Sequence, residues 1–106
     1  MVQKKSLILE LKKFLVTLND DIKIEKIFLF GSRAEGNFNE NSDVDLIIIS
    51  PDFENMNFFE RVSKMYDYWE IDLPVDFLCY TPKEFNRLKK GITIVSEALK
   101  KGILIN

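Results

Sequence analysis

The fold turns on IFLFGSRAEGNFNENSDVDLIIIS, from Ile27 to Ser50. Two apolar runs, Ile27–Phe30 and Leu46–Ile49, stand close together in it. The interval between them is too short for a crossover helix of ordinary length, which parallel neighbours need. They therefore predict two antiparallel neighbouring strands, over Ile24–Phe30 and Asp43–Ser50. Unbroken apolar runs of this length suit strands covered on both faces. Gly31-Ser32 predicts a sharp turn after the first strand. Arg33-Ala34-Glu35 reads as one helical turn, residues 37–41 as loop, and Pro51 closes the second strand.

Outward from this hairpin the pattern is helical. Leu7, Ile8, Leu11, Phe14, Leu15 and Leu18 recur at helical spacing, and Asn19-Asp20-Asp21 stops that helix. A second helix is expected from about Asn55 to Trp69, with Phe58, Val62, Met65, Tyr66 and Trp69 on its core face. Val75–Tyr80 reads as a third strand. Thr81-Pro82-Lys83-Glu84 is a capping box with proline in the first turn, so a helix starts there and ends near Gly91. A last helix spans about Thr93–Lys101, and Ile103–Ile105 reads as an edge strand that, left uncovered, favours a homodimer or heteromer. The expected fold is α/β (α+β): one domain over residues 1–106, a small mixed sheet with helices packed against it.

Composition limits the chemistry. The 106 residues are 46% apolar, enough for one core. With 15 basic and 17 acidic residues the charge is −2, a poor footprint for general nucleic-acid binding. The single cysteine, Cys79, excludes an internal disulfide and fits a cytoplasmic protein. It reads as a small apolar strand residue. The N-terminal MVQKKSLILELKKF is not a signal peptide, and no apolar run is long enough for a membrane span. Histidine is absent, which removes histidine-based zinc sites, triads and acid–base catalysis. Catalysis is left to carboxylates, Lys, Arg, Tyr or a metal held by oxygen.

Two carboxylates stand where that chemistry is available. Side chains two apart on a strand share a face, so Asp43 and Asp45 project together. They repel unless a proton or cation intervenes, and a hard divalent ion such as Mg²⁺ resolves this with carboxylate and phosphate oxygens. Solvation at a strand end is the plainer account of an isolated Asp-x-Asp. Gly31-Ser32 alters the context: glycine admits close backbone approach, and the amides and hydroxyl that follow suit a phosphate. Asp76, in the run Val75-Asp76-Phe77-Leu78, is the candidate third carboxylate for two metals; a structural ion pair is its other reading. Asp72 reads as a turn residue. Lys83, Arg87, Lys89 and Lys90 form a basic segment, solvated or facing an acidic partner or phosphate. Phe53, Phe58 and Phe59 fit either core or a partner surface.

GSRAEGNFNENSDVDL, Gly31–Leu46, resembles the signature of the nucleotidyltransferase superfamily with a polymerase-β-like palm. It is most similar to the minimal nucleotidyltransferases, the MNT proteins of prokaryotes. Gly31, Ser32, Arg33, Ala34, Gly36, Ser42, Asp43, Asp45 and Leu46 match that pattern position by position, and Val75-Asp76-Phe77 matches the third acidic strand. The resemblance spans nearly the whole chain. It implies ATP or another NTP, two Mg²⁺ ions, and transfer of a nucleoside monophosphate to a hydroxyl with release of pyrophosphate. By the same resemblance Asp43 and Asp45 bind both metals, and Asp76 completes the catalytic ion's shell and helps deprotonate the acceptor. Gly31, Ser32, Arg33 and Ser42 hold the nucleotide. Many relatives carry a basic residue where Glu35 stands; Arg33 or Lys26 is the substitute expected here.

MNT proteins are commonly paired with helical HEPN proteins in toxin–antitoxin modules, where the MNT partner can adenylylate a tyrosine of the toxin. The resemblance thus implies the antitoxin of such a pair. A chain ending just after the palm implies an acceptor site that is shallow or supplied by another protein. The alternative is a non-catalytic module that neutralises a HEPN-type toxin by contact, which Glu35 keeps open. An antibiotic-modifying enzyme is disfavoured, since no second domain remains for a small acceptor.

Overall fold

The computed structural model describes residues 4–35 and 42–106; the expected loop at 37–41, and Gly36 with it, lies outside them. β1 (Lys26–Phe30) and β2 (Val44–Ile49) run antiparallel as expected, with Lys26 opposite Ile49 and Phe30 opposite Asp45. β3 (Val75–Tyr80) lies parallel to β2 and pairs Asp76 with Asp45. A two-residue β4 (Ile103–Leu104) adds antiparallel to β1, giving the mixed order β3-β2-β1-β4. Parallel neighbours need a crossover, and α3 (Phe58–Tyr68) lies in the connection from β2 to β3. The other helices are α1 (Lys4–Asn19), α2 (Ser32–Glu35), α4 (Pro82–Leu88) and α5 (Ile94–Lys101). Among the described residues no helix is long and apolar enough to cross a membrane.

Alternation along β2 divides the core. Val44, Leu46 and Ile48 join the cluster that holds Leu7, Leu11, Phe14 and Leu18 of α1 and Met65 of α3. Ile47 and Ile49 join Phe85 of α4 and Val95 of α5. Because helices cover both faces, Leu46 to Ile49 are each at most 1% exposed, and the strand needs no polar alternation. Burying one such aliphatic side chain stabilises by about 1.5–3 kcal/mol. By the same alternation Asp45 lies on the face of Ile47, and Asp76 on that of Leu78, the face toward α4 and α5.

Several boundaries differ from expectation for local reasons. The first strand begins at Lys26, after Ile22 and Ile24, which are buried as irregular chain. Pro51–Asn55 forms a 3-10 turn in which the Ser50 hydroxyl accepts from the Asp52 amide, so α3 starts afresh after Asn57 in a capping box with Glu60. The basic helix stops at Leu88, before Gly91. Phe53 is core, whereas Phe59 is exposed. Met65 is fully buried and Trp69 packs against the core, but Phe58 and Tyr66 are half-exposed, against expectation. Tyr66 lies at the rim: its ring meets Phe77 edge-on at 5.0 Å while its hydroxyl donates to the Val75 carbonyl at 2.6 Å. Burial pushes the Cys79 thiol up to about 12, which keeps it inert as a nucleophile.

Arg61 is the buried group that sequence reasoning missed. Its Nε donates to the carbonyls of Phe53 and Met56, and its Nη1 to the carbonyl of Cys79 and, at 2.7 Å, to Glu84. Glu84 also accepts from the Thr81 amide, so one guanidinium ties the 3-10 turn, β3 and the start of α4 together. Arg61→Met keeps the apolar stem and removes the donors. It is expected to destabilise by about 2 kcal/mol and to lower Tm by about 10 °C. Calorimetry checks this; an unchanged Tm would mean that water replaces these bonds at no cost.

Candidate active site

The acidic residues meet where β1 ends and β2 and β3 begin. Asp45 and Asp76 are register partners on parallel strands, which run about 4.8 Å apart. Asp43 lies just ahead of β2, two residues before Asp45, and its charge is among those acting on the Asp45 carboxyl. Asp43 and Asp76 are exposed and Asp45 is half-buried. The Asp45 carboxyl is raised above its ordinary range, first by burial and then by the charges of Asp76 and Asp43. Asp45 therefore senses both acidic neighbours. Among the described residues no lysine or arginine forms an ion pair with any of them, so the structural ion pair weighed for Asp76 is not what is found. Asp76 escapes burial inside its apolar run because Val75 and Phe77 turn inward and it turns out.

Gly31 closes the other side. Its φ is +73°, and a Cβ there would lie 2.3 Å from Oδ2 of Asp45. Only glycine lets the turn lie so close to the carboxylate. The Gly31 carbonyl then accepts from the amides of Ala34 and Glu35, rooting α2 on the turn. Ser32 opens α2 and is half-buried. Arg33, expected to reach a nucleotide, is 1% exposed, and its Nε donates to the Ser42 carbonyl at 2.8 Å. It fastens the turn after β1 to the approach to β2. Lys26, the other expected substitute, is at the opposite end of β1, with its ammonium 5.9 Å from the Phe85 ring centre; strand length takes it away from the site. Glu35 is exposed and its Oε1 pairs with Lys101 Nζ at 3.4 Å, a contact no local pattern announces.

The donors here are all oxygen and, among the described residues, none of them has an ion-pair partner, which is the chemistry a hard divalent ion satisfies. As they stand, no three acidic or thiol groups among the described residues converge closely enough to enclose an ion. Asp43, Asp45 and Asp76 carry the donor type that such an ion takes, and they would have to draw closer together to hold one.

Fold and site place the chain among α/β domains that gather carboxylates at a sheet end beside a glycine turn. The chain belongs to the nucleotidyltransferase domain family, whose model matches residues 8–104. Over 59 residues it is 34% identical to a Methanocaldococcus jannaschii protein named "Putative protein adenylyltransferase". That match covers 56% of this chain and 59% of the relative, so the chain spans less than two thirds of the relative's length. Among solved structures, one described as a "putative nucleotidyltransferase" from Sulfolobus solfataricus superposes with a TM-score of 0.67 at 22% identity, covering 95% of this chain and 80% of that one. A toxin–antitoxin structure with AMP-PNP superposes at 0.58 with 24% identity, over 90% of this chain and 72% of that one. A mutant of the toxin–antitoxin MntA-HpeT gives 0.58 at 24%, over 89% and 70%. At these identities the superpositions establish the shared fold.

Proposed function

We propose that this chain transfers AMP from ATP to a hydroxyl of a partner protein, with Mg²⁺, and that the partner is a HEPN-type helical toxin for which it is the antitoxin. The observation that carries the reading is the half-buried Asp45 carboxyl, raised by burial and by the charges of Asp76 and Asp43 and lying where only a glycine at position 31 leaves room for it. The adenylyltransferase name of the archaeal relative supports the reaction class, and the toxin–antitoxin neighbours support the partner class.

In this reading the Gly31–Ser32 turn and Ser42 hold the phosphates, and Arg33 keeps Ser42 in place from beneath. Asp43, Asp45 and Asp76 hold the metal. When bound, Mg²⁺ supplies charge neutralisation and polarises the phosphoryl oxygen. Asp76, solvent-exposed, takes the proton of the attacking hydroxyl as the new P–O bond forms and pyrophosphate departs. Positioning does most of the remaining work. The contact-only alternative rests on the negative charge that Glu35 adds beside the turn, and its pairing with Lys101 offsets that charge.

The test is label transfer from α-labelled ATP with Mg²⁺ in an extract of the source cells. A labelled protein band is expected from the wild type and not from Asp43→Asn. No label from any nucleotide, with stable co-purification of a helical partner, would replace this reading with neutralisation by contact.

A further inference from the structure

Three features outside the carboxylate cluster converge on its rim. α5 packs on the face of the sheet that carries Asp45: Val95, Ala98 and Leu99 lie in the cluster of Phe28, Phe30 and Ile47. It ends at the site end of β1. A Cβ on Gly102, the next residue, would lie 2.8 Å from the Ala98 carbonyl oxygen and 3.4 Å from that of Leu29, so chain direction is fixed just past Lys101. Lys101 itself is 75% exposed and held 3.4 Å from Glu35, the last residue of the single helical turn that begins at Ser32. Ser32 and Glu35 are three apart in that turn, and such residues are neighbours on a helix surface, about 5–6 Å between Cβ atoms.

We propose that Lys101 is a nucleotide-binding residue: its ammonium contacts the terminal phosphates of an NTP held at the Gly31–Ser32 turn, and Glu35 is its resting partner. The inference rests on the nucleotide-transfer reading above. Charge argues for it. A triphosphate arriving beside three carboxylates needs cations beyond any metal, and the guanidinium of Arg33 is buried against Ser42. An exposed ion pair holds its members by about 0–1 kcal/mol, so Lys101 leaves Glu35 at little cost for a more highly charged phosphate. Glu35 stores the ammonium near the turn, then competes with the incoming nucleotide for it.

That competition gives a test a structural brace would fail. Binding of ATP and of AMP to the full chain with Mg²⁺ is measured by calorimetry for the wild type, Lys101→Met, Lys101→Arg and Glu35→Gln. Lys101→Met is expected to weaken ATP by about tenfold and to leave AMP nearly unchanged. Lys101→Arg stays near the wild type, and Glu35→Gln binds ATP several-fold more tightly. Were the pair a brace between α5 and α2, breaking it from either side would move affinity the same way. Shifts of one sign, or none, with ATP binding intact in the wild type would overturn the role of Lys101 and spare the transfer reading. A wild type that binds no ATP would overturn both.

Discussion

Asp45→Asn is expected to end nucleotide transfer and to leave the protein more stable at neutral pH. The activity loss follows from the proposed metal role: removing one charged ligand forfeits several kcal/mol of transition-state stabilisation, on the order of a thousandfold or more in rate. The stability gain follows from the sign of the titration. Burial, Asp76 and Asp43 raise the Asp45 carboxyl in the folded chain, so the folded state holds that proton to higher pH than the unfolded one. Stability from this group is therefore highest in acid and falls as pH rises through the window between the ordinary carboxylate value and the raised one. Asparagine removes the charge and flattens that window. Thermal melts of both proteins between about pH 4 and pH 7 without divalent ions are expected to show the mutant's advantage growing with pH. Adding Mg²⁺ is expected to narrow the gap by stabilising the wild type. A mutant that kept wild-type transfer would remove Asp45 from the metal site, and a mutant less stable at neutral pH would mean that its charge is compensated.

What was legible in the sequence was what local spacing controls. The short interval between Phe30 and Leu46 required antiparallel neighbours, and that is how β1 and β2 pair. Alternation predicts Asp43 beside Asp45; β2 begins only at Val44, and the Asp43 charge nevertheless acts on Asp45. Asp76 was picked out because a lone charge in an apolar run is costly, yet the structure places it outside the core and beside Asp45 through strand register. No local rule sets that register, since α3 and its flanking loops intervene. Arg33 has the right chemistry for a phosphate, and its burial with Nε on the Ser42 carbonyl follows from packing that no spacing rule announces. Arg61 was invisible because most of its acceptors are backbone carbonyls, which leave no trace in residue type. The pairing of Glu35 with Lys101, 66 positions away, has no local signal at all.

Gly31→Ala tests whether turn and carboxylate form one unit. The residue's φ of +73° costs a non-glycine about 1–2 kcal/mol. The new Cβ would also lie 2.3 Å from Asp45 Oδ2 and 3.2 Å from its Cγ, so rotating the oxygen away leaves the carbon still crowded. Either the turn retreats or Asp45 swings out of line with Asp43 and Asp76. A displacement of about 1 Å at a reacting centre costs on the order of a hundredfold, so transfer is expected to fall by at least that much. Stability is expected to fall by about 2 kcal/mol or more, since backbone strain and clash add. The two parts separate in an Asp45→Ala background, where the clash is gone and only the backbone strain remains. Denaturant unfolding of the four proteins gives the coupling. A smaller cost of Gly31→Ala in the Asp45→Ala chain is the expected result. Equal costs in both backgrounds would mean that Gly31 and Asp45 do not touch, and a phosphate held at the turn would then sit apart from any metal held by the carboxylates.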